Sequence, residues 1–367
     1  MTGWAGRLVA GAVLAAVAVD AWVVQYGAQE LPGWDAALYL DMAIELWEHL
    51  SEGAWSRAAA RALRPDLHPP LHGMSLGAWL HLFGDHPWTA RSHGAVWTLL
   101  GALLCAPIAR MVDVRREWIG WVAGFLVLCS LEHRRLLDST MTEPTALVVT
   151  QLGLLAALRL HERRGLRGGL VLGCVFVLAA AVRYNLGPML WLAVLAWSLW
   201  LARGHEVGGV LRRSVLWLLP SVVALGSWQA LWSGVRWSRG EPDELAVLGS
   251  VHAFFVNRAS ESVGLWTRFT WPVQALDTHY LGLFTVLLMV VCLVAGTVRA
   301  TRERHTTDPV ARRLFLLHLF GWTGLILLAL HPYREPRNLY VFVPVLVLVT
   351  LFELERLVQD RSGWRRS

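Results

Sequence analysis

What most constrains this chain is a succession of apolar stretches, each long enough to cross a bilayer as a helix, which takes about 17–25 residues. They run over residues 6–25, 89–110, 117–133, 143–161, 168–184, 186–203, 214–235, 280–300, 313–331 and 338–358. Hydrocarbon offers backbone groups no partner, so each stretch must satisfy its own N–H and C=O groups as a helix. The reading is an all-α polytopic membrane protein of about ten spans. Composition agrees, since 55% of the 367 residues are hydrophobic and the mean hydropathy is +0.45, too apolar for an ordinary soluble domain. Within the first stretch the run Leu8 to Val24 follows Arg7 and could pass for a signal peptide; its length, Trp22 and the spans behind it favour a retained helix. The 21 Trp suit many membrane–water boundaries, although bulky lipid-facing packing would use them too.

Segment 71–83, "LHGMSLGAWLHLF", decides the topology, because counting it as a span reverses the side of every later loop. It is short for a crossing and carries His72 and His81, which suits an interfacial or re-entrant helix. Charge arbitrates. All 33 basic residues are Arg, and with 71–83 kept from crossing, the clusters Arg115/Arg116, Arg163/Arg164/Arg167, Arg212/Arg213, Arg302/Arg304/Arg312/Arg313 and Arg361/Arg365/Arg366 share the cytoplasmic side with the N-terminus. The outward face then consists of a loop at 26–88 with interfacial helices, a short segment at 133–143, a tight turn at 183–188, a second long loop at 236–279, and "HPYREPRN" at 331–338. No soluble domain, linker or repeat interrupts the chain, so residues 1–367 read as a single transmembrane domain whose chemistry sits at that outer face. The net charge of +6 belongs to this sidedness and does not call for nucleic acid. Cys105, Cys129, Cys174 and Cys292 lie apart in apolar runs and read as small core residues, with neither zinc nor disulfide implied.

Polar residues on the outer face carry the functional signal. "DAALYLDMAIELWEHLSE" has helical spacing, with Leu40, Ile44, Trp47 and Leu50 on one stripe, and should lie on the membrane surface with that stripe down. Asp35 stands at its start after Pro32-Gly33, either as a helix cap or as a carboxylate held ready to act as a general base. Asp41 reads as a solvated residue of the same helix. Pro69-Pro70 fix an abrupt entry into 71–83 and place His68 at its head, as a structural loop histidine or as a phosphate or metal ligand. Asp138 and Glu143 follow in "RRLLDSTMTEPT". Glu143 sits where the positive end of a helix dipole favours an anion, and alternatively supplies a second acid near the reacting centre. Arg183, Arg334 and Arg337 end otherwise apolar spans, either snorkelling to the headgroups or binding an anion; three guanidinium forks on one face suit a phosphate.

The order of these elements resembles the GT-C class of integral-membrane glycosyltransferases, in the branch of protein O-mannosyltransferases and lipid A aminoarabinose transferases. An acid opens the first outer loop, "HPPL" and a short helix ending in "FG" follow, then "TARSHGAVWTLLGALL", "TMTEPTALVV" and "PRNLYVFVPVL". The resemblance implies that Asp35 is the base or metal-site residue, that His68 with Pro69 and Pro70 lies near the donor phosphate or metal, that Glu143 is the acid of the second outer loop, and that Arg337 and Tyr340 form the Arg-x-x-Tyr of the last one. It implies a sugar donor on polyprenyl phosphate, a lipid, glycan or protein acceptor, a bacterial inner membrane, and no nucleic-acid partner. A divalent metal, with Asp35, His68 and Glu143 as candidate ligands, is the one cofactor it suggests. Two departures leave metal use and the acceptor open: Asp35-Ala36 stands where the mannosyltransferases carry Asp-Glu, and the chain is shorter than many relatives. The absence of a Gly-rich nucleotide cradle fits a lipid-linked donor.

The expected function is therefore transfer of a sugar from a polyprenyl-phosphate donor to an acceptor hydroxyl or amine at the outer face, with inversion. Asp35 and Glu143 would be catalytic, and Arg337, Arg334, His68, Arg183 and Tyr340 would bind the donor phosphate. The alternative is a transporter or flippase for an amphipathic anion or lipid-linked sugar, which would also use outward arginines and intramembrane acids such as Asp20.

Overall fold

A computed structural model describes residues 4–27, 34–63, 69–137, 139–160, 166–202, 206–238, 265–303, 308–330 and 336–364. Among them the regular structure is helical throughout, with no strand. The helices are α1 (Trp4–Gly27), α2 (Trp34–Ser51), α3 (Trp55–Ala62), α4 (Pro70–Phe83), α5 (Pro87–Val112), α6 (Glu117–Cys129), α7 (Leu131–Arg135), α8 (Glu143–Leu160), α9 (Leu166–Val182), α10 (Leu186–Leu201), α11 (Val207–Ser238), α12 (Leu265–Leu276), α13 (Leu283–Arg302), α14 (Pro309–Leu330) and α15 (Val343–Trp364). Five described helices, α1, α5, α8, α11 and α13, are long and apolar enough to cross a membrane.

Small residues set how closely the helices pack. Gly120 and Gly124 of α6 lie against the backbone of α5 at Cys105–Ala106 and at Ala102, where any Cβ would collide. Such small-residue contacts are how helices gain van der Waals energy when lipid supplies no hydrophobic drive to associate. Leu14 and Ala18 of α1 seat on Ala102 and Leu128 beside this contact. The main core continues through α8, α9, α10, α14 and α15. Trp4, Trp88 and Trp118 are exposed in the first turns of α1, α5 and α6, as boundary indoles would be.

Ion pairs fix which helix ends lie together. Arg7 of α1 meets Glu117 of α6 at 2.8 Å, Arg116 meets Glu355 of α15 at 2.8 Å, and Arg313 of α14 donates to the Met111 carbonyl of α5 at 3.0 Å. The starts of α1, α6 and α14 and the ends of α5 and α15 therefore share one end of the bundle. The chain leaves α1 and enters α5 at the opposite end, so α2, α3 and α4 taken together begin and finish at that same end.

Several expectations need correction. Ser130, with φ −71° and ψ 143°, ends α6 at Cys129, so the expected span 117–133 stops early and its last residues turn off as α7. The expected loop 236–279 contains α12 and a π turn, Asp277–Leu281. Helix α2 has a buried side beyond the stripe read from its sequence: Tyr39, Met42, Ala43 and Leu46 are buried, Leu40, Trp47 and Leu50 pack partly against them or their neighbours, and Ile44 is 38% exposed. The cause is α4, whose Gly73 and Gly77 let Met42 and Leu46 approach, so α2 packs on protein. Cys105 and Cys292 are buried, but Cys129 and Cys174 are exposed, and all four are free thiols.

Candidate functional site

Opposite the end held by Arg7 and Glu117, several chain segments converge on Glu143, the first residue of α8. Its side chain is 1% exposed. Oε1 lies 3.2 Å from Nη1 of Arg183, just beyond α9, and 3.8 Å from Nε of Arg337. Arg183 also donates to Oδ1 of Asn338 at 2.7 Å, and Arg337 donates to Sδ of Met141 at 3.6 Å. A helix N-terminus favours a carboxylate, and two guanidinium groups hold this one in place. Glu143 Oε2 is buried with no hydrogen-bond partner among the described residues. The arginines keep 21% and 18% of their side chains exposed, so the positive side of the cluster reaches outward while the carboxylate lies beneath it.

The floor is built from α5, α7 and the 3-10 turn Pro336–Leu339 that leads to Tyr340. Tyr340 is fully buried; its hydroxyl shares a 2.8 Å hydrogen bond with Thr98, and its ring stacks on His133 with centroids 3.9 Å apart. His133 Nε2 donates to the Tyr340 carbonyl at 3.2 Å, and Ser130 donates to Nδ1 at 2.6 Å. That arrangement holds the imidazole neutral, and burial lowers its pKa to about 3. Tyr280 of the π turn donates to the Pro336 carbonyl at 2.8 Å and sets its ring edge against His133. Gly94 of α5 admits the backbone of Leu136, Leu137 and Ser139, whose carbonyl oxygens a Cβ would meet.

Sequence reasoning missed Glu132. It is 3% exposed, 3.7 Å from Arg135 and 4.0 Å from His279. Burial raises its pKa first; Arg135 and His279 pull it down, Glu143 pushes it up and Arg337 opposes that. Glu132 directly precedes His133, whose ring stacks on Tyr340, and that adjacency connects it to the floor of the site. Its sequence signal, "LEHRR", was hidden because the apolar run was carried through to residue 133. Thr98, His133, Tyr280 and Asn338 were missed as well, being ordinary residues until folding brings them together.

Of the expected site residues, the structure brings Glu143, Arg183 and Arg337 into one cluster and places Tyr340 beneath it. His68, Asp138 and Arg334 lie outside the described residues. Asp35 is in the first turn of α2, and its side chain also lies outside them. Asp41 is exposed. Among the described residues no group of three or more His, Cys, Asp or Glu could hold a metal. Glu143 already has two guanidinium groups on one oxygen, a poor setting for a divalent cation, so the described residues do not fit that group.

No family model and no curated protein matches the chain. Solved structures do. ArnT from Cupriavidus metallidurans bound to undecaprenyl phosphate aligns over 96% of the chain with a TM-score of 0.66 and 18% identity. Archaeoglobus fulgidus oligosaccharyltransferase in complex with Zn and sulfate aligns over 97% (TM-score 0.57, 13% identity). The same organism's oligosaccharyltransferase AglB, with an inhibitory peptide and a dolichol-phosphate, aligns over 99% (0.56, 11%). The chain spans 61% of ArnT and about half of the two oligosaccharyltransferase chains. At these identities the likeness speaks for architecture alone, and in architecture the chain shares the fold of ArnT and of the oligosaccharyltransferase.

Proposed function

We propose that the protein is an inner-membrane glycosyltransferase that moves a sugar from a polyprenyl-phosphate donor to an acceptor hydroxyl or amine at the extracytoplasmic face. The observation that carries the reading is the convergence of Arg183 and Arg337 on the buried Glu143, in a fold shared with a protein crystallised on undecaprenyl phosphate. In this reading the chain crosses the membrane about ten times, since apolar helices shorter than the usual ~20 residues suffice where helices are buried among their neighbours. The long outer loops are 26–88 and 236–279, and the donor's lipid tail lies between helices with its phosphate at the arginines.

The step is a displacement at the anomeric carbon. The acceptor oxygen or nitrogen forms a bond to C1 as the C1–O bond to phosphate breaks, and the electron pair leaves with the phosphate; attack from the opposite face inverts the configuration. Asp35 takes the acceptor's proton. Arg183 and Arg337, joined by Arg334 and His68, receive the charge that grows on the phosphate, which is where fixed donors act most strongly. Glu143 holds the two arginines in register, and Tyr340 supports the turn that carries Arg337. No step is routed through a metal.

The test is transfer of label from radiolabelled polyprenyl-phosphate sugars by the purified protein in detergent or vesicles. Asp35→Asn should stay folded and lose about 10²–10⁴-fold in rate, the usual worth of one positioned base. Near-normal transfer by that variant would reduce Asp35 to a helix cap. A transport reading has one observation in its favour: Glu353 of α15 and His318 of α14 are buried within the bundle with Arg299 of α13 beside them, where transporters often place ionisable residues. Movement of lipid-linked sugar across vesicles, without transfer or hydrolysis, would favour it.

A further inference from the structure

Helices α2 to α4 are tied to the Glu143 turn by a short chain of buried hydrogen bonds that neither the fold nor the proposed chemistry requires. His72 of α4 is fully buried and uses both ring nitrogens: Nε2 donates to the Thr140 carbonyl at 2.8 Å, and Nδ1 accepts from the Thr145 hydroxyl at 2.9 Å. The two bonds straddle Glu143 in sequence. Thr140 extends the chain further, since its own hydroxyl donates to the Ala36 carbonyl in the first turn of α2 at 2.9 Å. Tyr39, one turn along α2, sets its ring edge against His72 at 5.0 Å between centroids. The first turn of α2, the imidazole of α4 and both sides of Glu143 thus form one connected unit made of residues 36, 72, 140 and 145.

We infer that Thr140 and His72 are positioning residues, which set the start of α2, where Asp35 stands, against the carboxylate of Glu143. The inference rests on the glycosyltransferase reading for its consequence in rate, but not for its structural content. Two groups that must meet one reacting centre, carried on segments far apart in sequence, need such a tie. A misplacement of about 1 Å can cost on the order of 10²-fold in rate. Each bond here is buried, so losing one partner leaves the other unsatisfied, and the segment shifts to recover it.

The test uses the full-length protein with lipid-phosphate sugar as donor. Thr140→Val keeps the side-chain shape and removes the donor to Ala36; it should lower kcat by about 10–10²-fold while donor KM stays near the wild-type value. Thr140→Ser should restore kcat. His72→Leu should fall likewise, His72→Gln, whose amide nitrogen can still reach Thr140, should recover much of the loss, and the Thr140→Val/His72→Leu double variant should be scarcely worse than either single one, as for residues acting as one unit. Hydrogen exchange supplies a readout independent of turnover: Thr140→Val should raise exchange at residues 36–43 and 140–146 together. If both segments exchange as in the wild type, or if kcat in folded Thr140→Val is unchanged, the positioning role is overturned. If wild-type protein transfers no sugar while Thr140→Val still loosens both segments, the tie stands and the glycosyltransferase reading is what fails.

Discussion

Glu143 and Glu353 are each 1% exposed and each meets basic side chains from two other segments, but they sit differently in their helices. Glu353 lies midway along α15 and meets His318 of α14 at 3.1 Å and Arg299 of α13 at 3.5 Å. Room for them comes from Gly296 of α13, where a Cβ would run into both the His318 ring and the Glu353 carboxylate. Glu143 lies at the first turn of α8, and its arginines come from chain just past α9 and from the 3-10 turn before α15. His318 is 1% exposed, but Arg299, in the last turn of its helix, keeps 23% of its side chain open, about as much as Arg183 at 21% and Arg337 at 18%. What separates the two clusters is the seat of the carboxylate. Glu353 is mid-helix and ties three helices together, whereas Glu143 opens a helix whose dipole favours an anion and meets arginines carried on turns.

The contrast breaks most directly if Arg337 proves dispensable. Arg337→Met should cost about 10²–10³-fold in kcat, the worth of one donor aimed at developing charge, with the unfolding temperature in detergent little changed. Glu353→Gln should behave in the opposite way, leaving transfer by the folded protein intact. Removing one partner of a buried pair costs about 3–5 kcal/mol, whereas replacing both with apolar residues of similar size can be neutral. Glu353→Ala should therefore unfold well before wild type, and the His318→Leu/Glu353→Leu double variant should recover most of the loss; no recovery would mean that the cluster does more than hold helices together.

Acid sharpens the outer half of the comparison. Burial lowers the His72 pKa from 6.5 to about 4, while its bond to the Thr140 carbonyl pulls the other way. Its neutral form is the one the fold favours, so its stabilising effect is complete above pH 6.5 and is lost as pH falls toward 4, amounting to about 3 kcal/mol at most. His72→Gln should flatten the fall in unfolding temperature across that window. Glu132 acts in the other sense: its carboxyl is raised, so its contribution is held at low pH and lost as pH rises through the shifted value. The smallest effect expected is that of Gly296→Ala, which should cost about 1–3 kcal/mol by overpacking and leave the rate untouched. A drop in rate there would join the two clusters functionally.

Much of the fold was legible because its signals are local. A run such as 89–110 is apolar over enough residues to cross, and α5 forms there; Pro69-Pro70 announces the start of α4 at Pro70. Arginine clusters pointed to helix ends that lie together, and Arg7, Arg116 and Arg313 do gather at one end. The buried side of α2 at Met42 and Leu46 was not legible, because helical periodicity identifies an apolar stripe without saying how much more of the helix a neighbour will cover. Glycines 73 and 77 settled that by admitting α2 onto α4. In the site, charged residues at the ends of apolar spans drew notice to Glu143, Arg183 and Arg337 because a charge there is costly without a purpose. Thr98, Thr140, His72 and Asn338 carried no such cost and gave no such signal.

By itself, then, the amino-acid order determined that the described residues are helical, which ends of the helices carry charge, and which few acids and arginines stand where apolar runs stop. These follow from hydropathy and from the cost of burying a charge, both properties of residues taken a turn or two at a time. Only the tertiary structure decided that Glu143 is shared by Arg183 and Arg337, and that His72 and Thr140 bind α2 and α4 to the same turn. Those are meetings between residues up to about two hundred positions apart, fixed by how closely helices approach at their small residues, and no local property of the chain encodes them.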